Sequence, residues 1–140
     1  TSTIFAREMI QNNIDGRIIM TSSLFGLRGG KENSAYSASK FGMVGLMQCL
    51  AAELADKKIL VNCVCPGQME TEMLNKLFVD RAEITGTTEE EIREKLTSRI
   101  PTKKLGNLDD LAGTYIYLSS ELSQYVTGQA ITVDGGWSIG

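Results

Sequence analysis

The chain contains no histidine, two prolines and one tryptophan among its 140 residues. The lack of histidine removes the commonest metal ligand of proteins. No apolar run reaches the roughly 18 residues that a membrane-spanning helix needs, and the first residues lack the basic, apolar and small-residue order of a signal peptide. The sequence therefore predicts a cytoplasmic protein with no membrane partner.

The chain also has fewer basic than acidic residues. Lysine and arginine number 14 against 17 acidic residues, which gives a formal net charge of −3. Nucleic acids and anionic membranes are bound by clustered positive charge, and the nearest basic cluster, Lys103–Lys104, is short. The sequence therefore predicts that neither is a partner.

The three cysteines are an odd number in a chain without secretory features, which predicts reduced thiols rather than a disulfide framework. Cys63 and Cys65 lie two apart on one face of an apolar run, a spacing that is compatible with a metal site. Without histidine or a second cysteine pair, packed core thiols are the favoured interpretation and no metal is predicted.

Helical patterns alternate with short apolar runs along the chain. Strands are predicted over 17–21, 59–65 and 125–133. Helices are predicted over 1–14, 36–56, 70–81 and 107 to about 118, and a capping box at 88 and 91 predicts the start of one more. Helices that alternate with strands of this kind imply βαβ units. The predicted fold class is α/β, with a parallel sheet of about three strands covered on both faces.

Tyr36 and Lys40 lie four residues apart at the start of the predicted 36–56 helix, so both side chains reach one pocket. A phenol has an ordinary pKa of about 10, and a nearby ammonium favours its phenolate form because opposite charges attract. A phenol beside an ammonium is therefore a usable proton-transfer group at neutral pH. The Y-x-x-x-K pattern alone is a weak signal, with a surface helical pair as its alternative.

Two predicted strands end near this pair. Ser22 and Ser23 follow the first strand, and Pro66 and Gly67 follow the second. Ligands of open parallel sheets bind beyond the carboxyl ends of the strands, so a hydroxyl there could hold a substrate oxygen. The alternative for Ser23 is an ordinary turn hydroxyl.

Six segments in a fixed order carry a resemblance to a known family. They are Gly16–Ile19, Ser22–Ser23, Tyr36–Lys40, Val61–Gly67, Thr127–Gln129 and Asp134–Gly136. In order and spacing, and over essentially the whole chain, the sequence is similar to the short-chain dehydrogenase/reductase family. The resemblance implies a doubly wound, parallel-sheet Rossmann fold and an NAD(P)-dependent oxidoreductase.

The resemblance also implies a role for each site residue. Ser23 matches the serine that bonds the reacting oxygen, and Tyr36 matches the proton donor or acceptor. Lys40 matches the lysine that favours the phenolate and binds the nicotinamide ribose. The positions that pack the nicotinamide ring and bond its carboxamide are matched by Pro66, Gly67, Met69 and Thr71. Thr71 has a helix N-cap or first-turn residue as its alternative, and both roles could coexist.

The resemblance implies NAD or NADP as cofactor, a secondary alcohol or ketone as substrate, and a substrate lid over 70–99. A homo-oligomer, tetramer or dimer, is expected through the 36–56 helix and the last strand. The family's glycine-rich turn, Asn-Asn-Ala-Gly-like strand end and catalytic asparagine do not occur among these residues. We therefore expect residues 1–140 to be the C-terminal portion of one Rossmann domain, inactive without the rest of a longer parent.

Two alternatives remain. One is a non-catalytic interaction module that retains the fold without binding a cofactor. The other is an epimerase or dehydratase of the extended branch of the family, which ranks lower because the ending over 127–136 resembles the single-domain branch.

Overall fold

A computed structural model describes residues 2–139 as alternating helices and strands. The helices are α1 (Ser2–Gln11), α2 (Ser34–Leu54), α3 (Glu72–Thr85), α4 (Glu89–Thr97) and α5 (Leu108–Ser119). The strands are β1 (Gly16–Thr21), β2 (Ile59–Pro66) and β3 (Ala130–Val133). The α/β class predicted from the sequence is confirmed, and residue 1 of the predicted first helix lies outside the described residues.

The three strands form one parallel sheet in the order β1-β2-β3. Thr21 lies opposite Val64, and Pro66 lies opposite Val133. The last residues of all three strands therefore share one edge of the sheet, which we call the carboxyl edge. Two main-chain bonds extend the pairing beyond that edge, from Ser22 N to the Val64 carbonyl at 2.8 Å and from Gly67 N to the Val133 carbonyl at 2.9 Å.

Helices cover both faces of the sheet. On one face, buried apolar residues of α2 such as Met47 and Leu50 pack against Val61 and Cys63 of β2, together with Ala6 of α1. On the other face, the Tyr115 hydroxyl of α5 lies 2.7 Å from Thr21 Oγ1. Alternate side chains of a strand point to opposite faces, so α2 and α5 cover opposite sides, as the sequence predicts.

The last strand is shorter than predicted. The predicted 125–133 strand is wrong over its first five residues, because β3 begins at Ala130 and Tyr125 is fully exposed. Gly128 has a left-handed φ of 70°, which strands do not adopt. The buried Asn62 side chain holds this segment, donating to the Val126 carbonyl at 2.8 Å and accepting from Gln129 N at 3.0 Å.

Both predicted helix starts after α3 are present. Thr88 and Glu91 form a reciprocal capping box at α4, and Asn107 and Asp110 form one at α5. The hydrogen bond from the Asn107 main chain, helped by the charge of Lys104, holds the pKa of Asp110 below its usual range. These caps satisfy main-chain N–H groups that a helix leaves without internal partners.

Within residues 2–139, no helix has the length and apolar character needed to cross a membrane. The same residues contain no group of three or more metal-ligating side chains of the kind that could hold an ion.

Candidate active site at the carboxyl edge of the sheet

The first wall of the candidate site is the turn that follows β1. Ser23 is buried and has an extended backbone, and it caps the short 3-10 helix Leu24–Gly26. Its Oγ accepts from Phe25 N at 3.2 Å. A serine hydroxyl has one donor and two acceptor positions, so this turn role and a bond to a substrate oxygen are compatible.

Ser22 joins this turn to helix α2. Its buried Oγ donates to the Lys40 carbonyl at 3.0 Å. Gly26 makes the close approach possible, because a Cβ at that position would lie 2.8 Å from the same carbonyl oxygen. Ser22 therefore holds the catalytic-residue candidates of the turn and of the helix together. Sequence reasoning did not assign it this role, and the only available signal was the glycine four residues later.

Tyr36 and Lys40 lie on the first turns of α2, as the spacing predicts. Lys40 Nζ is 5.6 Å from the centroid of the Tyr36 ring and donates to the Thr21 carbonyl at 3.2 Å. The Tyr36 ring meets Phe25 edge-on, with centroids 6.3 Å apart. Tyr36 is 43% exposed. The fold therefore brings the phenol, the ammonium and the turn after β1 to one accessible place.

The second wall is the segment between β2 and α3. Gly67 lies against the backbone of Asp134, and buried Met69 pairs with Gly106 in an isolated parallel bridge. Thr71 is the N-cap of α3, since its Oγ1 accepts from Leu74 N at 3.2 Å. The N-cap alternative for Thr71 is thus present, and its hydroxyl proton remains compatible with a second role.

Pro66 ends β2 at the carboxyl edge, next to Gly67. The site residues predicted from the sequence therefore come from two walls, the turn and helix start after β1 and the segment after β2. Ser22 and Gly67 both bond across neighbouring strands, so the two walls are attached to the same sheet edge.

Two buried thiols lie on β2 beneath the first wall. Burial, together with the nearby Cys65, raises the pKa of the Cys63 thiol to about 11, although the charge of Lys40 opposes the shift. Burial also raises the pKa of Cys65, while hydrogen bonds from Ser22 and Ser23 lower it. These thiols stay protonated at neutral pH, so they place no negative charge beside Lys40.

Cys63 and Cys65 are expected to resist alkylation by iodoacetamide at pH 8 in the folded protein, while the exposed Cys49 reacts. With a pKa of about 11, roughly one Cys63 thiol in a thousand is ionised at pH 8, and the thiolate is the nucleophile. Because burial disfavours the thiolate, the free energy of unfolding is unaffected by Cys63 below the ordinary pKa of 9.0 and falls as the pH rises from 9.0 toward 11.

Mass spectrometry after trypsin digestion measures this labelling at each cysteine. Urea-unfolded protein is the control, in which all three should react at similar rates. Labelling of Cys63 in folded protein as fast as Cys49 would contradict the burial of β2.

Known proteins resemble the chain over nearly its whole length. The profile of the family described as enoyl-(acyl carrier protein) reductase matches residues 2–138. A curated relative, the 3-oxoacyl-acyl-carrier-protein reductase of Aquifex aeolicus, is 38% identical over 130 residues, which cover 93% of this chain and 48% of the relative. The chain spans about half the length of the curated relatives it matches.

Solved structures also resemble the chain over nearly its whole length. Sorbitol-6-phosphate 2-dehydrogenase from Erwinia amylovora superposes with a TM-score of 0.90 at 38% identity, covering 95% of this chain and 52% of that one. A variant of the actinorhodin polyketide ketoreductase, solved with NADPH, has a TM-score of 0.87 at 34% identity, with 94% and 50% covered.

Proposed function

Since the chain belongs to the short-chain dehydrogenase/reductase family, we propose that it is the catalytic, C-terminal portion of a single Rossmann domain. The full-length protein is then an NAD(P)-dependent oxidoreductase that interconverts a secondary alcohol and a ketone. One observation carries the proposal: Tyr36, Lys40 and the turn that contains Ser23 meet at the carboxyl edge. Ligands of open parallel sheets bind at this edge.

In the proposed reaction, Ser23 donates a hydrogen bond to the reacting oxygen. Tyr36 gives a proton to that oxygen when a ketone is reduced and takes one when an alcohol is oxidised. Lys40 supports both directions, because its positive charge stabilises the phenolate that remains after the proton has left. Its bond to the Thr21 carbonyl keeps this charge next to the ring.

The donor groups of this site suit a nicotinamide nucleotide. An ammonium has three donors, and Lys40 uses one on Thr21, so two are available for ribose hydroxyls. Pro66, Gly67 and Met69 would pack against the nicotinamide ring, and Thr71 would bond its carboxamide. When bound, NAD or NADP supplies or accepts the hydride.

Helices α3 and α4 are proposed as the substrate lid. Arg93 of α4 reaches the second wall, donating to Glu70 at 2.8 Å and to Asn75 at 3.1 Å. Its guanidinium also lies 5.2 Å from the centroid of the Phe78 ring. Because Arg93 connects α4 to the second wall, a movement of the lid would change access for the substrate and for the cofactor together.

Helix α2 also exposes Phe41 and Leu46, which is compatible with the homo-oligomer expected from the sequence. The oligomeric state and the cytoplasmic location stay predictions.

The full-length protein is expected to oxidise NADH or NADPH in the presence of a suitable ketone, measured as loss of absorbance at about 340 nm. A panel of small ketones and ketoses, each with both coenzymes, defines the substrate class and the coenzyme preference. Ketone-dependent turnover that is saturable in both substrates supports the function. Saturable coenzyme binding without turnover of any carbonyl in the panel would favour the non-catalytic alternative.

A further inference from the structure

A cavity of about 340 Å³ opens beside the turn that follows Ser23. It is lined by Arg28, Ser98, Arg99, Pro101, Lys103 and Trp137. Three of these side chains are positively charged and none is negatively charged, although the chain as a whole has a net charge of −3. The cavity is therefore a local concentration of positive charge in an acidic chain.

Arg28, Arg99 and Lys103 form no ion pair with an acidic side chain in the part of the chain that the structure describes. Among residues 2–139, the ion pairs use other lysines and arginines. Lys103 Nζ donates to the Ser98 carbonyl, which leaves two of its three donors. The Arg99 guanidinium lies 4.8 Å from the centroid of the Trp137 ring, a cation–π contact that holds the charge beside the cavity. Like charges that share a cavity repel, and a bound anion relieves that repulsion.

The cavity is built on buried structure. Trp137, Ile100 and Leu24 form a buried apolar cluster beneath it. Lys103 has a left-handed φ of 58°, which is uncommon for a residue other than glycine. The turn that imposes this conformation is fixed by bonds from Lys103 N to the Ile100 carbonyl at 2.9 Å and from Thr102 N to the Gly135 carbonyl at 3.2 Å. The backbone position of Lys103 at the rim of the cavity is therefore set by the fold.

The cavity is also close to the proposed reaction. Leu24 of the buried cluster directly follows Ser23, and Arg28 N donates to the Leu24 carbonyl at 3.2 Å. Four residues separate Ser23 from Arg28, and the bond from Arg28 N to the Leu24 carbonyl folds this segment back on itself, so the cavity lies only a short distance from Ser23. One small molecule can span this distance, with its reacting carbon at Tyr36 and its anionic end in the cavity.

We propose that this cavity is a subsite for the phosphate of a small phosphorylated alcohol or ketone, an inference that rests on the proposed function. A phosphate monoester carries nearly two negative charges and three strong acceptor oxygens. It therefore matches three cations better than a carboxylate, with one charge, or a phosphodiester, which also has one. The subsite selects substrates by their phosphorylated end, away from the reacting carbon.

Calorimetric titration of the full-length protein with glycerol 3-phosphate, acetate and dimethyl phosphate tests the subsite without requiring turnover. Glycerol 3-phosphate is expected to bind saturably and more tightly than the other two. Arg99→Gln is expected to weaken its binding roughly ten- to hundredfold, the range for a hydrogen bond to a charged group. Lys103→Asn should weaken it similarly, and asparagine tolerates the left-handed backbone at that position.

Lys57→Gln is the matched control. It removes one positive charge near the amino end of β2, opposite the carboxyl edge, and should leave phosphate binding within about twofold. Tighter binding of acetate would assign the cavity to carboxylates, and tighter binding of dimethyl phosphate would assign it to phosphodiester groups; either result overturns the proposal. Equal binding by the wild-type protein and by both cavity variants would also overturn it.

The same variants separate this inference from the proposed function. Fructose 6-phosphate and fructose form a matched pair of ketoses for the coenzyme-oxidation assay. Phosphate binding without reduction of any ketone would contradict the function and leave the subsite standing. Reduction of neutral ketones without phosphate binding would contradict the subsite alone.

Discussion

Replacing Tyr36 by phenylalanine is expected to lower kcat for the proposed reaction of the full-length protein by at least a hundredfold, the usual size of a general acid–base contribution. The substitution removes the hydroxyl that carries the proton. It keeps the ring, and with it the edge-on contact to Phe25, and it does not disturb the Lys40 bond to Thr21. Coenzyme affinity should therefore change little, so that kcat and kcat/KM fall together.

Steady-state kinetics and coenzyme fluorescence titration measure the two effects separately. Tyr125→Phe is the matched control, because that side chain is fully exposed and the same hydroxyl is removed away from the carboxyl edge. A Tyr36→Phe enzyme that retained more than about a tenth of the rate would exclude Tyr36 as the proton-transfer group. An equal loss of kcat in the Tyr125→Phe variant would mean that the effect is not specific to Tyr36.

The local parts of this fold follow from short sequence patterns. The capping box of Thr88 and Glu91 satisfies the first turn of α4 within four residues, so its composition alone predicts where the helix begins. Tyr36 and Lys40 are equally local, because helical geometry puts residues four apart on one face. The two strand ends that border the site are local as well. Ser22 and Ser23 follow the first apolar run, and Pro66 and Gly67 interrupt the second.

The parts that sequence reasoning missed depend on distant residues. Tyr125–Gln129 has the apolar and polar residues of a strand, but Asn62, more than 60 residues earlier, bonds that segment in another conformation. The cationic cavity likewise combines Arg28 with residues 98–103 and Trp137. Lys103 belongs to the short basic pair noted in the sequence, but nothing in composition or spacing indicates that Arg28 and Trp137 lie beside it.

Ser22 is intermediate between these cases. The serine pair after β1 was visible, and Ser23 was assigned by its distance from Tyr36 through the family resemblance. The bond from Ser22 to the Lys40 carbonyl depends on how closely the turn approaches α2, which Gly26 permits. A spacing pattern therefore identifies Ser23, the proposed partner of the reacting oxygen, more readily than Ser22, which holds the turn against α2.

Gly67→Ala is expected to destabilise the full-length protein by about 3 kcal/mol, at the upper end of the usual cost of overpacking. A Cβ at this position would lie 2.5 Å from Asp134 Cβ and 2.6 Å from its Cα. Asp134 cannot move aside freely, because its carboxylate accepts from Gly136 N and from Ser138 N, each at 2.9 Å. The new methyl group must therefore push β2 and β3 apart and weaken the bond from Gly67 N to the Val133 carbonyl.

Urea unfolding measures this loss as a lower midpoint with an unchanged slope. Gly29→Ala is the matched control, since a Cβ there meets nothing within 4 Å and should alter stability by less than about 0.5 kcal/mol. Equal stability of the two variants would mean that the strand ends lie farther apart than described.

Because Gly67 belongs to the wall proposed to hold the nicotinamide ring, the folded Gly67→Ala protein should also bind coenzyme more weakly. A loss of stability with unchanged coenzyme affinity would restrict Gly67 to strand packing and leave the cofactor contact to its neighbours.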